Sequence, residues 1–343
     1  MDLNDFEYAL PVDLIAQEPA GTRESSRMLV VDRRSKRFHD DSFAGLPERL
    51  RPDDVLVLNN TKVFPARLFG KSGTGARVEI FLVERISHSS WVALARPARR
   101  LNAGKKIDFG PELNGSVVEV RTDGRVVVEF DFDGEFDDIL GRAGRTPLPP
   151  YIKRDSNAAD TDRPRYQTVY AKSSGAIAAP TAGLHFTEDV LAQIEANGVD
   201  VVEVTLHVGY GTFEPVRAED LSQHSVLPER YEISDTAADA LNRARAAGRR
   251  IVAVGTTTTR TLESGITKHG RFISGSDLAE LTITPGYRFK AVDAMLTNFH
   301  LPRSSLLILV STFGGHELIM DAYRHAVASG YRFYSYGDCM FIE

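Results

Sequence analysis

The 343-residue chain has one cysteine, Cys339, and one tryptophan, Trp91. A single thiol excludes intrachain disulfides and any zinc site built from several thiolates. Long apolar runs are missing too. The longest is Leu306-Leu-Ile-Leu-Val310, far short of the roughly 18 residues of a membrane span. The first residues, Met1-Asp-Leu-Asn-Asp-Phe-Glu7, lack a basic segment followed by an apolar one, so no signal peptide is expected. Neither sign of charge is in large excess: 41 Lys+Arg against 47 Asp+Glu, net −6. The reading is a cytoplasmic protein with no membrane partner, no metal and no permanently bound cofactor. No feature specifies an oligomeric state.

What is present suits a globular enzyme. Apolar residues make up 42%, enough for a core without staples, and the length suggests about two domains. Met28-Leu-Val-Val31 and Val55-Leu-Val-Leu58 read as buried strands. From about Ala66 to Arg145 the runs are short and β-branched, with no convincing helical period. Asp123-Gly124, between two such runs, predicts a two-residue type I′ hairpin. From about Pro147 helices and strands alternate. Thr187 and Ser234 are candidate helix caps, and Gly198, Gly248 and Gly330 are candidate stops. The expected fold class is α/β. A main, barrel-like α/β domain (1–65 and 147–343) carries an inserted small antiparallel β-barrel domain (66–146). Lys153 to Arg165 reads as an exposed loop.

Several familiar motifs fail. Gly70-Lys71-Ser72 ends like a P-loop, but Pro65 occupies the position of the first glycine and no helix follows, so a hairpin loop is the better reading. Gly209-Tyr-Gly211 lacks the third glycine of a dinucleotide fingerprint. His316-Glu317 lacks a second histidine at Met320.

Polar clusters at the carboxyl ends of the expected strands survive, and active sites of α/β folds gather there. Asn59, Asn60 and Thr61 follow one strand; His207, Gly209, Gly211 and Thr212 follow another. Thr256, Thr257 and Arg260 follow a third and lead into a helix containing Glu263, a setting suited to an anion or a ribose. Asn298 and His300 follow a fourth, and Thr181 and His185 precede the Thr187 helix. Each histidine alone reads first as a structural one; the joint pattern indicates a shared site. Between Lys62 and Lys106, ten Lys/Arg face two acids, a local balance of +8. Arg142, Arg145, Lys153, Arg154, Arg163 and Arg165 add a second basic stretch. Facing one way, these charges form a phosphate-binding surface; otherwise they are a solvated β surface.

The segments Leu14-Ile-Ala-Gln-Glu-Pro-Ala20, Val57-Leu-Asn-Asn-Thr-Lys-Val63, Pro147-Leu-Pro-Pro-Tyr-Ile152, Ala179-Pro-Thr-Ala-Gly-Leu-His-Phe-Thr187, Leu296-Thr-Asn-Phe-His-Leu-Pro302 and Ser335-Tyr-Gly-Asp338 resemble the S-adenosylmethionine:tRNA ribosyltransferase-isomerases of queuosine biosynthesis. The resemblance runs through nearly the whole chain. It implies the inserted-barrel architecture and transfer of the ribosyl part of S-adenosylmethionine, a consumed cosubstrate, onto 7-aminomethyl-7-deazaguanine. That base sits at the wobble position of tRNA with a GUN anticodon, and the product is epoxyqueuosine. His185, His207 and His300 are then candidate acids and bases, with no order among them. Glu263 and Asp338 are candidate catalytic carboxylates that orient a histidine, hold ribose or balance the sulfonium. Asn59, Asn60, Thr61, Thr181, Gly209, Gly211, Thr212, Thr256, Thr257 and Asn298 are substrate-binding candidates. Arg67 and Arg260 are candidate anion binders, and Tyr166 is a candidate stacking ring. Arg99, Arg100, Lys105 and Lys106 are expected to bind tRNA phosphates. Two stretches depart from the family's usual pattern: Leu227 where a histidine is usual, and Ala279-Glu280-Leu281-Thr282 before Pro285-Gly286. They keep one alternative open, a divergent relative using another nucleoside or small-molecule acceptor. A second alternative, a noncatalytic RNA-binding protein that keeps the scaffold, is argued against by the dense strand-end clusters.

Overall fold

The structure, a computed structural model, describes residues 1–155, 160–213, 216 and 220–343. The side chains of Arg100, Thr212, Phe213 and Ser222 lie outside the described residues. A mixed sheet of nine strands runs in the order Gly275–Ala279, Glu229–Ile233, Asp200–Leu206, Val55–Asn59, Ile251–Val254, Ala294–Asn298, Cys339–Ile342, Arg27–Asp32 and Arg37–Ser42. Four neighbours, from Asp200–Leu206 to Ala294–Asn298, are parallel, so their carboxyl ends share one rim. Val55–Asn59 is buried along its length. Leu56 and Leu58 enter the core on one face and Val55 and Val57 on the other, the period of two that a covered strand requires. Helices Asp235–Ala246, Gly255–His269, Ser305–Gly314 and His316–Ala328 contribute to the core on the Val55/Val57 side. Helix Glu188–Ala196 packs on the opposite side. No single helix among the described residues is long and apolar enough to cross a membrane.

Thr187 and Ser234 cap their helices: the Val190 and Ala237 N–H groups each donate to them at 3.2 Å. Ser304 accepts from the Leu307 N–H at 3.2 Å and opens Ser305–Gly314, a helix absent from the sequence reading. Most of its residues are buried, so it lacks the polar stripe that marks a surface helix. The edge strand Arg37–Ser42 escapes a sequence reading for the opposite reason: it is charged and largely exposed.

A closed barrel takes the strands in the order Val126–Asp131, Ser90–Arg96, Arg77–Arg85, Arg67–Ser72, Lys106–Asp108 and Asn114–Val120. Of the two large sheets only this one closes; the nine-stranded layer keeps two edges. The barrel interior alternates along each strand, with Val78, Ile80 and Leu82 facing Trp91, Ala93 and Ala95. Phe136, Ile139 and Leu140 pack against it from helix Phe136–Ala143, which corrects the helix-free reading of this stretch. Their i, i+3, i+4 spacing is helical, but two turns give little periodicity to read. Gly70-Lys71-Ser72 belongs to strand Arg67–Ser72 rather than a hairpin loop. A Cβ on Gly70 would sit 2.6 Å from Asp108 O. The Asp123-Gly124 hairpin forms, with another turn. Gly124 donates to Arg121 O at 3.0 Å and alone takes a positive φ, +84°. That is a three-residue loop ending on a left-handed glycine, where a type I′ turn needs two positive φ values. Arg67 and Arg145 exchange backbone hydrogen bonds of 3.2 and 2.8 Å, so the chain enters and leaves the barrel at one neck.

Candidate active site

A cleft of about 520 Å³ opens at the carboxyl rim of the parallel strands. Gly255, Thr256 and Thr257 line it from the end of Ile251–Val254; Thr297, Asn298 and His300 line it from the end of Ala294–Asn298. Thr181, Tyr151, Tyr166, Tyr334 and the start of helix Ser305–Gly314 complete the wall. Arg303 is the only Lys, Arg, Asp or Glu among its described lining residues.

Gly255 adopts φ +90°, which lets the chain turn from strand straight into helix Gly255–His269. Among the described residues no side chain caps this helix. Its first-turn N–H groups lack intrahelical partners, and the positive end of its dipole stands at the cleft wall. The hydroxyls of Thr258, Thr259 and Thr261 donate back to the carbonyls of Val254, Gly255 and Thr257 at 2.7, 3.1 and 3.1 Å, so they leave those amides open.

The three expected histidines take different places relative to the cleft. His300 lines the cleft. Thr297 Oγ1 lies 2.8 Å from its Nε2 and donates to Asn298 O at 3.3 Å. When the hydroxyl proton goes to Asn298 O, Nε2–H is the donor to Thr297; Nδ1 has no hydrogen-bond partner among the described residues. Burial holds the His300 pKa down to about 3, so the ring is neutral near pH 7. His185 sits behind the wall. Its Nδ1 lies 3.0 Å from Ser26 Oγ and its Nε2 3.2 Å from Asn298 Nδ2. Burial first, then Arg23 and Arg332, lowers it to about 4. His207 lies outside the cleft lining, half-buried, with Nδ1 2.8 Å from Thr61 Oγ1. Burial and Arg230 lower its pKa.

Asn298 Nδ2 also points to the carbonyls of Tyr334 (3.2 Å) and Asp338 (3.4 Å), which fixes the amide's orientation. Its Oδ1 is buried without a partner among the described residues. The Tyr334 hydroxyl is unpartnered as well, and Tyr334 holds φ +73°, unusual for an aromatic residue. Both residues line the cleft, and these two atoms lie buried behind its surface.

Other expected site residues lie outside the cleft lining, held by neighbouring groups. Glu263 is fully buried away from the cleft lining. It accepts from Tyr287 OH at 2.7 Å and from the N–H groups of Lys290, Ala291 and Val292 at 2.9–3.2 Å. Both Asp338 oxygens are taken by the Arg27 and Arg332 N–H groups, at 2.9 and 2.8 Å. Burial raises its pKa. The Asn59 amide donates to Leu206 O and Thr257 Oγ1 and accepts from the Thr61 and Leu206 N–H groups. Asn60 binds Glu203 and Thr205. Arg260 pairs with Glu229, whose Oε1 accepts from the Gly209 N–H at 2.9 Å. Gly211 and Arg260 border a separate small cavity of about 30 Å³. Leu227 and Thr282 border it too, which brings the two departures from the family pattern together: the Arg260 guanidinium donates to Leu227 O and Ala279 O at 3.4 and 2.9 Å. Arg67 pairs with Glu79 at 3.1 Å and donates to Leu148 O at 3.2 Å.

The basic stretches divide likewise. Arg142, Arg154 and Arg163 pair with Glu112, Asp162 and Asp160. Arg165 donates to the Ala20 and Gly21 carbonyls. Arg96, Arg99, Lys105, Lys106 and Lys153 make no ion pair among the described residues.

Sequence reasoning misses Tyr151, Tyr334 and the 303–306 turn. They come from irregular connections, and only Ser304 before an apolar run carries a local signal, that of a helix cap.

The family model described as "Queuosine biosynthesis protein" matches residues 3–342. S-adenosylmethionine:tRNA ribosyltransferase-isomerases of Trichlorobacter lovleyi and Syntrophotalea carbinolica are 48% and 46% identical, each covering 100% of both chains. The crystal structure of the S-adenosylmethionine tRNA ribosyltransferase of Thermotoga maritima is similar at 35% identity and a TM-score of 0.56, over 99% of this chain and 100% of that one. Given matches over its whole length, the chain belongs to the family of queuosine biosynthesis proteins.

Proposed function

We propose that the chain transfers the ribosyl part of S-adenosylmethionine to the aminomethyl group of 7-aminomethyl-7-deazaguanine in tRNA and isomerises it to epoxyqueuosine, releasing adenine and methionine. The supporting observation is the cleft: an open helix N-terminus, a neutral histidine and tyrosine rings meet on one rim. The first-turn N–H groups at Thr256 and Thr257 hold the methionine carboxylate. The rings of Tyr151 and Tyr334 take the sulfonium and the bases, by cation–π attraction and stacking, and Tyr166, 1% exposed, backs the wall behind them. His300 Nδ1 removes the acidic C5′ proton beside the sulfonium. The C–H electron pair stays on C5′, so positive charge passes from the sulfonium centre to the imidazolium and the cleft's net charge is unchanged. The C1′–N9 bond breaks and adenine leaves protonated. The aminomethyl nitrogen bonds to C1′ and gives up a proton, and the C5′ electron pair closes onto C1′ as the C1′–O4′ bond breaks. The freed O4′ bonds to C5′, forming the epoxide as the C5′–S bond breaks and methionine leaves as a neutral thioether.

His185 positions Asn298, and Thr61 positions His207 at the edge of the site. In this reading 66–146 is an inserted domain in a main domain of 1–65 and 147–343. The tRNA carries a GUN anticodon, the setting is the cytoplasm, and no cofactor is permanently bound. The test is the product set from S-adenosylmethionine and tRNA bearing the aminomethyl base. One adenine and one methionine per tRNA are expected; S-adenosylhomocysteine would mean methyl transfer and overturn the reading.

A further inference from the structure

A second cavity, about 360 Å³, lies at the neck of the barrel and meets the main cleft at Pro150, which lines both. Phe81 enters it from the barrel and Tyr210 from the turn after Asp200–Leu206, with ring centroids 6.4 Å apart. Arg67 and Glu79 face it as a pair. Arg154, also at the wall, is spent on Asp162 and Glu18. Arg96 and Lys153 are exposed and make no ion pair among the described residues. Two rings and two free cations one residue away from the cleft match one nucleotide of single-stranded RNA, a flat base and a phosphate.

We infer that this cavity binds the nucleotide next to the reacting one in the same strand, its base against Tyr210 and Phe81 and its phosphate between Arg96 and Lys153. The inference rests on the reading that the main cleft holds the reacting nucleotide. It gives the barrel a role: the chain that crosses Pro150 is held on both sides, and the base in the cleft is drawn out of its stack. The Arg67–Glu79 pair presents donors and an acceptor to that base's edge.

The experiment compares affinities of the full chain for the nucleoside 7-aminomethyl-7-deazaguanosine and for a trinucleotide with that nucleoside in the middle. The wild-type protein should bind the trinucleotide at least tenfold more tightly. In Arg96→Gln with Lys153→Gln that advantage should shrink about tenfold. The slope of log affinity against log salt should fall by about 0.7 for each phosphate that is no longer neutralised. Unchanged S-adenosylmethionine affinity reports an intact fold. Tyr210→Ala should reduce the advantage without moving the salt slope. A wild-type trinucleotide advantage that persists with an unchanged slope in the double variant overturns the inference and leaves the main reading standing. Wild-type protein that binds neither probe overturns the main reading, and the inference with it.

Discussion

His185 Nε2 lies 3.2 Å from Asn298 Nδ2, so a histidine outside the cleft holds an amide that lines it. Because Asn298 Nδ2 is the donor, His185 must accept at Nε2 and carry its proton on Nδ1, toward Ser26. The pair acts as a unit. His185→Ala and Asn298→Ala should each raise KM for the substrate held against this wall of the cleft. The double variant should be little worse than the worse single one, a coupling of about 1 kcal/mol or more. Additive effects on kcat/KM would separate the two residues.

Of the three histidines only His300 lines the cleft. His300→Ala should cut kcat by about 10²–10⁴-fold, the range for loss of a positioned proton acceptor. His207→Ala should change kcat by only a few-fold, because its ring faces Thr61 outside the cleft lining. Steady-state kinetics on both variants checks this; a larger loss in His207→Ala would move the chemistry to the other edge of the rim.

Glu263 holds three backbone N–H groups and a tyrosine hydroxyl from a fully buried position. Glu263→Gln replaces an acceptor by a donor against those amides. It should cost about 2–3 kcal/mol of unfolding free energy, as expected for hydrogen bonds to a charged group. Urea unfolding measures it, and KM at a permissive temperature should stay near the wild-type value. Full stability with abolished turnover would place Glu263 in the chemistry.

Burial holds His185 and His300 at about 4 and about 3, against an unfolded value near 6.5. Between these values the unfolded chain binds more protons than the folded one, so stability rises with pH and falls on acidification from about 6.5 downward. Each ring contributes up to about 1.4 kcal/mol per pH unit in that window. Lowered Asp277, at about 2, acts only below its ordinary value of 3.8. Unfolding at pH 7, 6 and 5 should show the decline, and His300→Asn should flatten it. Equal slopes in variant and wild type would contradict the burial of a neutral ring.

The strands and caps are legible because they follow local rules: a period of two at Val55–Asn59, hydroxyl caps at Thr187 and Ser234, glycine stops at Gly198 and Gly330. Helix Ser305–Gly314 is not, because a helix buried on most sides loses its stripe. The strand-end rule finds Thr256, Thr257, Asn298 and His300 and the rim they share. It does not tell which side chain turns into the cleft and which turns back. Asn59 and Thr61 face neighbouring strands, and Glu263 sits deeper along its helix, clamping the 290–292 backbone. Those orientations are set by packing across the sheet, and no local pattern encodes them.

The most direct test of the central claim supplies S-adenosylmethionine labelled with carbon-13 in its ribose to the protein with tRNA carrying 7-aminomethyl-7-deazaguanine. Mass spectrometry of the digested tRNA then reads the modified nucleoside. The account predicts a nucleoside that has gained the whole labelled ribosyl unit, with the methyl group retained on released methionine. A nucleoside that has gained only an unlabelled methyl group, or none at all beside intact S-adenosylmethionine, would contradict it.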